Sequence, residues 1–570
     1  MYMKIRKISA LLLALAMLLS LLSGCASGAS GGDGSALETI SSAIQTVEKP
    51  DAPAILINDG IHADVDYADM HWYIYDTEEF NAKAERLSAA QSGGEAAELY
   101  EWLMTEYTRA YTLDNLAYID FYAHPSDDTV SDACRTLDGI INDMADALCT
   151  AITDALDGGA GSDFAAYLGE DRAAAFRGYD EQTDREREIA ERVSELTLQY
   201  NALIMEPLDH DEETERIGGL YRELIDLHNE EARLAGYDSY ADYAYEINYG
   251  RDFTPDDAAA LCEAVKPYAQ RYFASLYTNE ATYTDFTVNT DYSAQELVAL
   301  IERFMPRLSP AAAEAAAYMR GHGLYFMDSA DRISDMGFTM TLDYYNAPFI
   351  YLALYGSEYD IQSMFHEFGH YYDAYVNPVP DALLSIGSLD IFEIHSTGME
   401  ALSTGWYGEI YGGEADLARI RFLDNALYTV FTGCLFDEFQ REVYADPSLT
   451  PEQISDTYVS VARSYGIRIY NEDAAHYWMQ VNHNFESPFY YISYAVSMLA
   501  SLQIYEMAES DWTQAADFYN DLVSLGAFDY TYCDLLREVG LECFTDGLPA
   551  CVPQAVDDLE TLCLAWEAAA

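Results

Sequence analysis

The sequence predicts a mainly α-helical protein carrying one small sheet. Most segments beyond residue 50 place apolar residues at helical spacing with charges on the opposite face. Strand-like stretches are few. The clearest is "MGFTMTLDYYNAPFIYLALY" (336–355), rich in Thr, Phe, Tyr and Ile and punctuated by Pro and Asn. With 570 residues and 50% hydrophobic content, the chain is long enough to bury a large core.

In chain order, the first stretch reads as a targeting segment. "MYMKIRKISALLLALAMLLSLLSGCASGAS" has a basic start, a short apolar run and then Leu22-Ser23-Gly24-Cys25. The run is short for a membrane span, so residues 1–24 are expected to be a secretory signal peptide. The small residues before Cys25 resemble a lipobox, which predicts a bacterial lipoprotein anchored through an acylated Cys25 on the outer side of a membrane. Residues 25–49 include "ASGASGGDGSA", a Gly/Ser-rich flexible linker. A helical region is expected over 50–200 and a catalytic domain over 201–570. Within these, "DREREIAERVSELTLQYNALIM" (184–205) is an amphipathic helix. "SPAAAEAAAYMRGHG" is a helix capped at Ser309 and stopped at glycine.

Lys plus Arg number 29 against 98 Asp plus Glu, a formal charge of −69. Such a surface repels phosphate backbones and argues against nucleic-acid binding. Eight cysteines remain besides Cys25: Cys134, Cys149, Cys262, Cys434, Cys533, Cys543, Cys551 and Cys563. Outside the cytoplasm an even number permits disulfides, and the clustering of the last four suggests them. No C-x-x-C pair occurs, so a cysteine zinc site is not supported.

The stretch that carries chemistry is "MFHEFGHYYDAYVNP" (364–378). His366 and His370 are i and i+4, so on a helix both imidazoles project from one face and can share a metal. Glu367 stands where its carboxylate can act on an activated water as general base; this is the H-E-x-x-H arrangement of zinc peptidases. A helix is expected to run up to Pro378 and Pro380. Catalytic zinc needs a third protein ligand. Val376 rules out the histidine that a metzincin would place there. "SLDIFEIHSTGMEALSTGWYGEIY" (388–411) offers Asp390, Glu393, His395 and Glu400 instead. Of these, Glu393 is the expected ligand, on a returning helix, with Glu400 on the same face orienting a ligating imidazole.

At these residues the chain resembles the thimet oligopeptidase and oligoendopeptidase F family of zinc metallopeptidases. "HEFGH" with the later "EIHSTGME" matches the family's H-E-x-G-H followed by E-x-x-S-x-x-x-E. The approach over 336–370 and the stretch "VNHNFESPFYYISYAVSMLAS" (481–501) are also similar to the family's. The resemblance implies a thermolysin-related helical clamshell, a zincin whose deep channel admits short peptides. It also implies that His483 and Tyr494 face the substrate carbonyl, with Tyr490 sharing their face. Phe485, Glu486, Ser487 and Ile492 depart from the family pattern.

The expected activity is therefore zinc-dependent endopeptidase action on short extracellular oligopeptides. Two alternatives stand beside it. One is a carboxypeptidase or dipeptidyl carboxypeptidase on the same scaffold, which would need a cation such as Arg320, Arg463 or Arg468 for the substrate C-terminus. The other is a lipid-anchored peptide-binding protein without catalysis.

Overall fold

The computed structural model describes residues 61–177, 183–204, 206, 208–276, 278–379, 382–383 and 387–569. The signal segment, Cys25 and the linker lie outside them. Helices dominate, as the periodicity predicts, and they surround a three-stranded sheet. The N-terminal helices used below are α1 (Gly93–Ala123), α2 (Asp128–Asp157), α3 (Asp184–Leu203) and α4 (His210–Leu234). Ser309 caps α5 (Pro310–Gly321) through the backbone N–H of Ala312, as expected.

The sheet follows at once. Strands β1 (Tyr325–Ser329), β2 (Gly337–Leu342) and β3 (Ala347–Leu354) stand in the order β1-β3-β2. β3 pairs parallel with β1 and antiparallel with β2. Seven of its eight residues are buried, which is why "APFIYLAL" reads as a continuous apolar run rather than an alternating one. The turn into β3 uses Asn346 at φ 47°, a left-handed position that asparagine tolerates. Helix α1 docks on this turn: Asn115 donates to the Thr341 carbonyl at 3.0 Å, and the Tyr344 N–H donates to Thr112 Oγ1 at 2.9 Å. β1 leaves no mark in the sequence pattern, because "YFMDS" is too short to show a period.

Helix α6 (Glu358–Val376) opens at Ser357 with a full capping box to Asp360 and stops just before Pro378. Its buried stripe, Ile361, Met364, Phe365, Phe368, Tyr371 and Tyr372, keeps helical spacing. Helix α7 (Leu389–Ser403) packs on it and is buried almost all round. Helices α8 (Ala415–Ala445), α9 (Ile492–Ser510), α10 (Trp512–Leu525) and α11 (Cys551–Ala569) complete the surroundings, with α9 against both α7 and α8. One hydrophobic cluster runs from Met70 to Cys563 and joins residues of the 50–200 and 201–570 stretches.

The structure draws no disulfide among the cysteines clustered near the C-terminus, though Cys533 and Cys543 lie close enough to pair. All eight cysteines are buried free thiols. Cys543 and Cys533 approach to 3.0 Å as thiols, while Cys551 donates to the Leu499 carbonyl at 3.4 Å and is spent on core packing. Among the described residues no helix is long and apolar enough to cross a membrane.

Candidate active site

Helix α6 presents His366 and His370 one turn apart, with ring centroids 5.1 Å from each other. Helix α7 crosses this face and brings Glu393, whose Oε2 lies 3.7 Å from Nε2 of each histidine. The close crossing depends on Gly369. A Cβ there would fall 2.5 Å from the His395 carbonyl oxygen and 2.7 Å from Ser396 Cα. The glycine that looks like a helix breaker in sequence is the notch that admits α7.

Each donor is held by a neighbour. Glu400 accepts from His366 Nδ1 at 2.7 Å through one oxygen and from Gln362 at 2.6 Å through the other. That fixes a proton on Nδ1 and turns Nε2 towards Glu393, the nitrogen left to bind a metal once its own proton is displaced. Ser396 donates to Glu393 Oε2 at 3.0 Å, and Tyr490 donates to Glu393 Oε1 at 3.3 Å. Burial disfavours a charged His366 ring, yet the Glu400 hydrogen bond and the charges of Glu400, Glu367 and Glu393 override it and push the pKa up to about 10. His370 moves the other way: burial and the charge on His366 hold it well below the usual range.

Glu367 is buried beside the pair. Burial raises its pKa to about 7, against the opposing pull of His366 and of the Thr339 hydrogen bond. Thr339 on β2 donates to Glu367 Oε2 at 2.7 Å and contacts the Glu367 carbonyl at 3.0 Å. Gly337 lies on the same face of the strand, where an added Cβ would meet Glu367 Oε1 at 3.3 Å. The sequence signals Thr339 only through the alternation of Gly337, Thr339 and Thr341 along β2 as small or hydroxylic residues.

The 483–494 stretch closes the opposite side. His483 Nε2 is 3.3 Å from the Tyr494 hydroxyl, and its ring stacks on Tyr490 at 5.4 Å. Burial lowers its pKa to about 4, so the imidazole is neutral at pH 7. Tyr490 precedes α9 rather than lying one turn back on it, and its ring still meets that of Tyr494 at 5.2 Å. Phe489 makes the bend at φ 67°, uncommon for a bulky residue. Its N–H donates to Gln440 and its carbonyl accepts from Arg251 Nη1 at 3.0 Å, which pins the strained residue on both sides.

Two of the four departures from the family pattern face the core. Phe485 stacks on Tyr200 at 3.8 Å, and Ile492 is fully buried. Glu486 is buried, its pKa raised to about 7 by desolvation against a hydrogen bond with Asn201, and Ser487 is buried too. Of the cations considered for a substrate C-terminus, Arg320 is exposed and paired with Glu302 at 2.7 Å, and Arg468 donates to the Tyr470 hydroxyl at 3.2 Å.

No protein-family model matches the chain, and no curated protein does either. Solved structures do. PZ peptidase A in complex with an inhibitor superposes with a TM-score of 0.71 at 18% identity, over 87% of this chain and 99% of that one. A protein assigned as oligoendopeptidase F from Bacillus anthracis gives 0.69 at 18% identity, over 88% and 99% of the two chains. Metallocarboxypeptidase 1 of Trypanosoma cruzi gives 0.56 at 14% identity, over 85% and 99%. With its helical body, small sheet and crossing of α6 by α7, the chain has the fold of the oligoendopeptidase F and PZ peptidase structures.

Proposed function

We propose that the protein is a zinc-dependent endopeptidase acting on short oligopeptides outside the cell, held to a bacterial membrane by a lipid on Cys25. The carrying observation is the convergence of two imidazoles and three buried carboxylates from α6 and α7. The donor set fits zinc. Oε2 of Glu393 stands 3.7 Å from Nε2 of each histidine, too far for hydrogen bonds, and a tetrahedral ion with bonds of about 2.1 Å separates its donors by roughly 3.4 Å. Glu367, Glu393 and Glu400 also concentrate a negative potential that a dication neutralises. His366, His370 and Glu393 would hold the ion, and zinc in that position supplies Lewis acidity that makes water a nucleophile near neutral pH.

The chain's own groups do the rest. Glu367, raised towards neutrality and aimed by Thr339, takes a proton from the attacking water and returns it to the leaving amine. Tyr494 donates its hydroxyl hydrogen to the scissile carbonyl oxygen as negative charge builds there, with neutral His483 beside it. Tyr490 steadies the Glu393 carboxylate. The sheet edge at β2 runs alongside Glu367, where an extended peptide can add as a strand.

Carboxypeptidase action is the second reading, favoured by the likeness to the Trypanosoma cruzi metallocarboxypeptidase. One experiment separates the readings: a pool of short peptides is incubated with the protein, with chelator-treated protein and with Glu367→Gln, and the products are weighed by mass spectrometry. Internal cuts that vanish in both controls are the expected result. Removal of C-terminal residues alone would favour the carboxypeptidase. Intact peptides would leave a binding protein.

A further inference from the structure

A second cluster of metal-type donors lies apart from α6 and α7. His210 is the first residue of α4, and Glu213 follows one turn later. His476 ends the short helix Glu472–His476, which packs against α4. The His210 and His476 rings face each other with centroids 5.3 Å apart at 24°. One donor atom from each of His210, Glu213 and His476 falls within 4.8 Å of the others. Glu213 Oε2 stands 3.2 Å from His210 Nδ1, and Asp473 Oδ1 stands 3.2 Å from His210 Nε2. His476 Nε2 meets the Thr214 hydroxyl at 3.2 Å. Its other nitrogen, Nδ1, is buried without any hydrogen-bond partner.

Two facing imidazoles among carboxylates gain little from each other, and an orphaned ring nitrogen is a cost. A divalent ion shared by the two rings and Glu213 replaces that poor contact with donor bonds. The N/N/O donor set suits zinc, cobalt or nickel; magnesium and calcium prefer oxygen throughout. We propose that His210, Glu213 and His476 form a second transition-metal site that is structural, with Asp473 holding the His210 ring through its Nε2. Its position gives it a task. From His476 the chain runs through the Tyr477–Gln480 turn, where the Tyr200 hydroxyl contacts the Met479 carbonyl at 2.9 Å, and directly into His483. An ion there ties the start of α4 to the strap that delivers His483, Tyr490 and Tyr494. The inference does not rest on the peptidase reading.

The test measures zinc in the full chain after loading and desalting, by plasma mass spectrometry. The His366→Ala/His370→Ala variant is expected to retain about one ion per chain, lost when His210→Ala/His476→Ala is added. Unmutated protein is expected to fall from about two ions to about one with His210→Ala/His476→Ala alone. Cobalt loaded into the first variant should show visible bands that the second pair of substitutions abolishes. The proposal is overturned if His366→Ala/His370→Ala holds no ion, or if its ion survives loss of His210 and His476. Should that variant not fold, the second comparison decides: equal zinc with and without His210 and His476 overturns the site. Failure at the α6–α7 centre shows separately, as zinc that His366→Ala/His370→Ala does not change.

Discussion

Glu367 differs from an ordinary helix-surface glutamate in two respects: it is buried, and Thr339 holds one of its oxygens. Glu367→Gln keeps that packing but removes the base, so kcat is expected to fall about 10²–10⁴-fold while zinc content stays unchanged. Thr339→Val deletes only the aiming hydrogen bond. Its expected signature is a kcat roughly tenfold lower at near-constant KM, read from steady-state kinetics on a quenched peptide. The two tyrosines divide by what their hydroxyls touch. Tyr494→Phe should cost about 10²–10³ in kcat, as for loss of an oxyanion donor. Tyr490→Phe removes a bond to Glu393, so its main effect should be about tenfold weaker zinc retention in a chelator competition. Equal effects of the two on kcat would show that both hydroxyls face the substrate.

The site exists because α6 and α7 cross at near contact, and the crossing has its own weak points. Gly369→Ala drives a methyl group into the α7 backbone, which cannot yield as a side chain would. Expected are about 1–3 kcal/mol of lost stability in urea unfolding and a parallel loss of bound zinc, since the donors separate. Behind α7, Arg251 is fully buried, its Nε 3.3 Å from Asp390 Oδ2 and its Nη2 2.9 Å from Ser493 Oγ. It lies over the rings of Tyr245 and Tyr249 at 4.4 and 4.5 Å. Through Phe489 it also fixes the bend that sets Tyr490. Arg251→Met strands a buried carboxylate, and a loss of about 3–5 kcal/mol is expected.

Over the whole molecule, acidity governs stability. Desolvation raises Asp343, Glu231 and Glu486 each to about 7 in the folded state. Their unfolded counterparts titrate near 4, so between about pH 4 and 7 the folded chain binds more protons. Stability from these groups is complete below the unfolded value and is lost as pH rises through 7. His228 opposes them: burial lowers it to about 3, so below about pH 6.5 the unfolded state takes up the proton first and stability falls with acid. Three carboxyls outweigh one imidazole, and fewer ionised surface acids means less self-repulsion from a net charge of −69. The melting temperature is therefore expected to be several degrees higher at pH 5.5 than at pH 8. Added salt should narrow the gap by screening. A flat profile would show that these carboxyls titrate normally.

Local pattern was enough for much of this. The i, i+4 histidines with an intervening glutamate, the Ser309 and proline punctuation of helices, and the concentration of β-formers at 336–355 are short-range signals, because a helix turn or strand pleat repeats within a few residues. The returning helix with Glu393 and Glu400 was legible for the same reason: i and i+7 share a face whatever lies around them. Strand β1 escaped because five residues carry no period, and Thr339 because its partner is 28 residues away in sequence. Tertiary structure alone decided that Gly369 is a notch and not a breaker, and that Phe485 and Ile492 turn inward. It also decided that Cys533 meets Cys543 and that His476 returns to His210. Each of these depends on which surfaces meet, and contacts between distant segments are set by packing across the core, which no local spacing encodes.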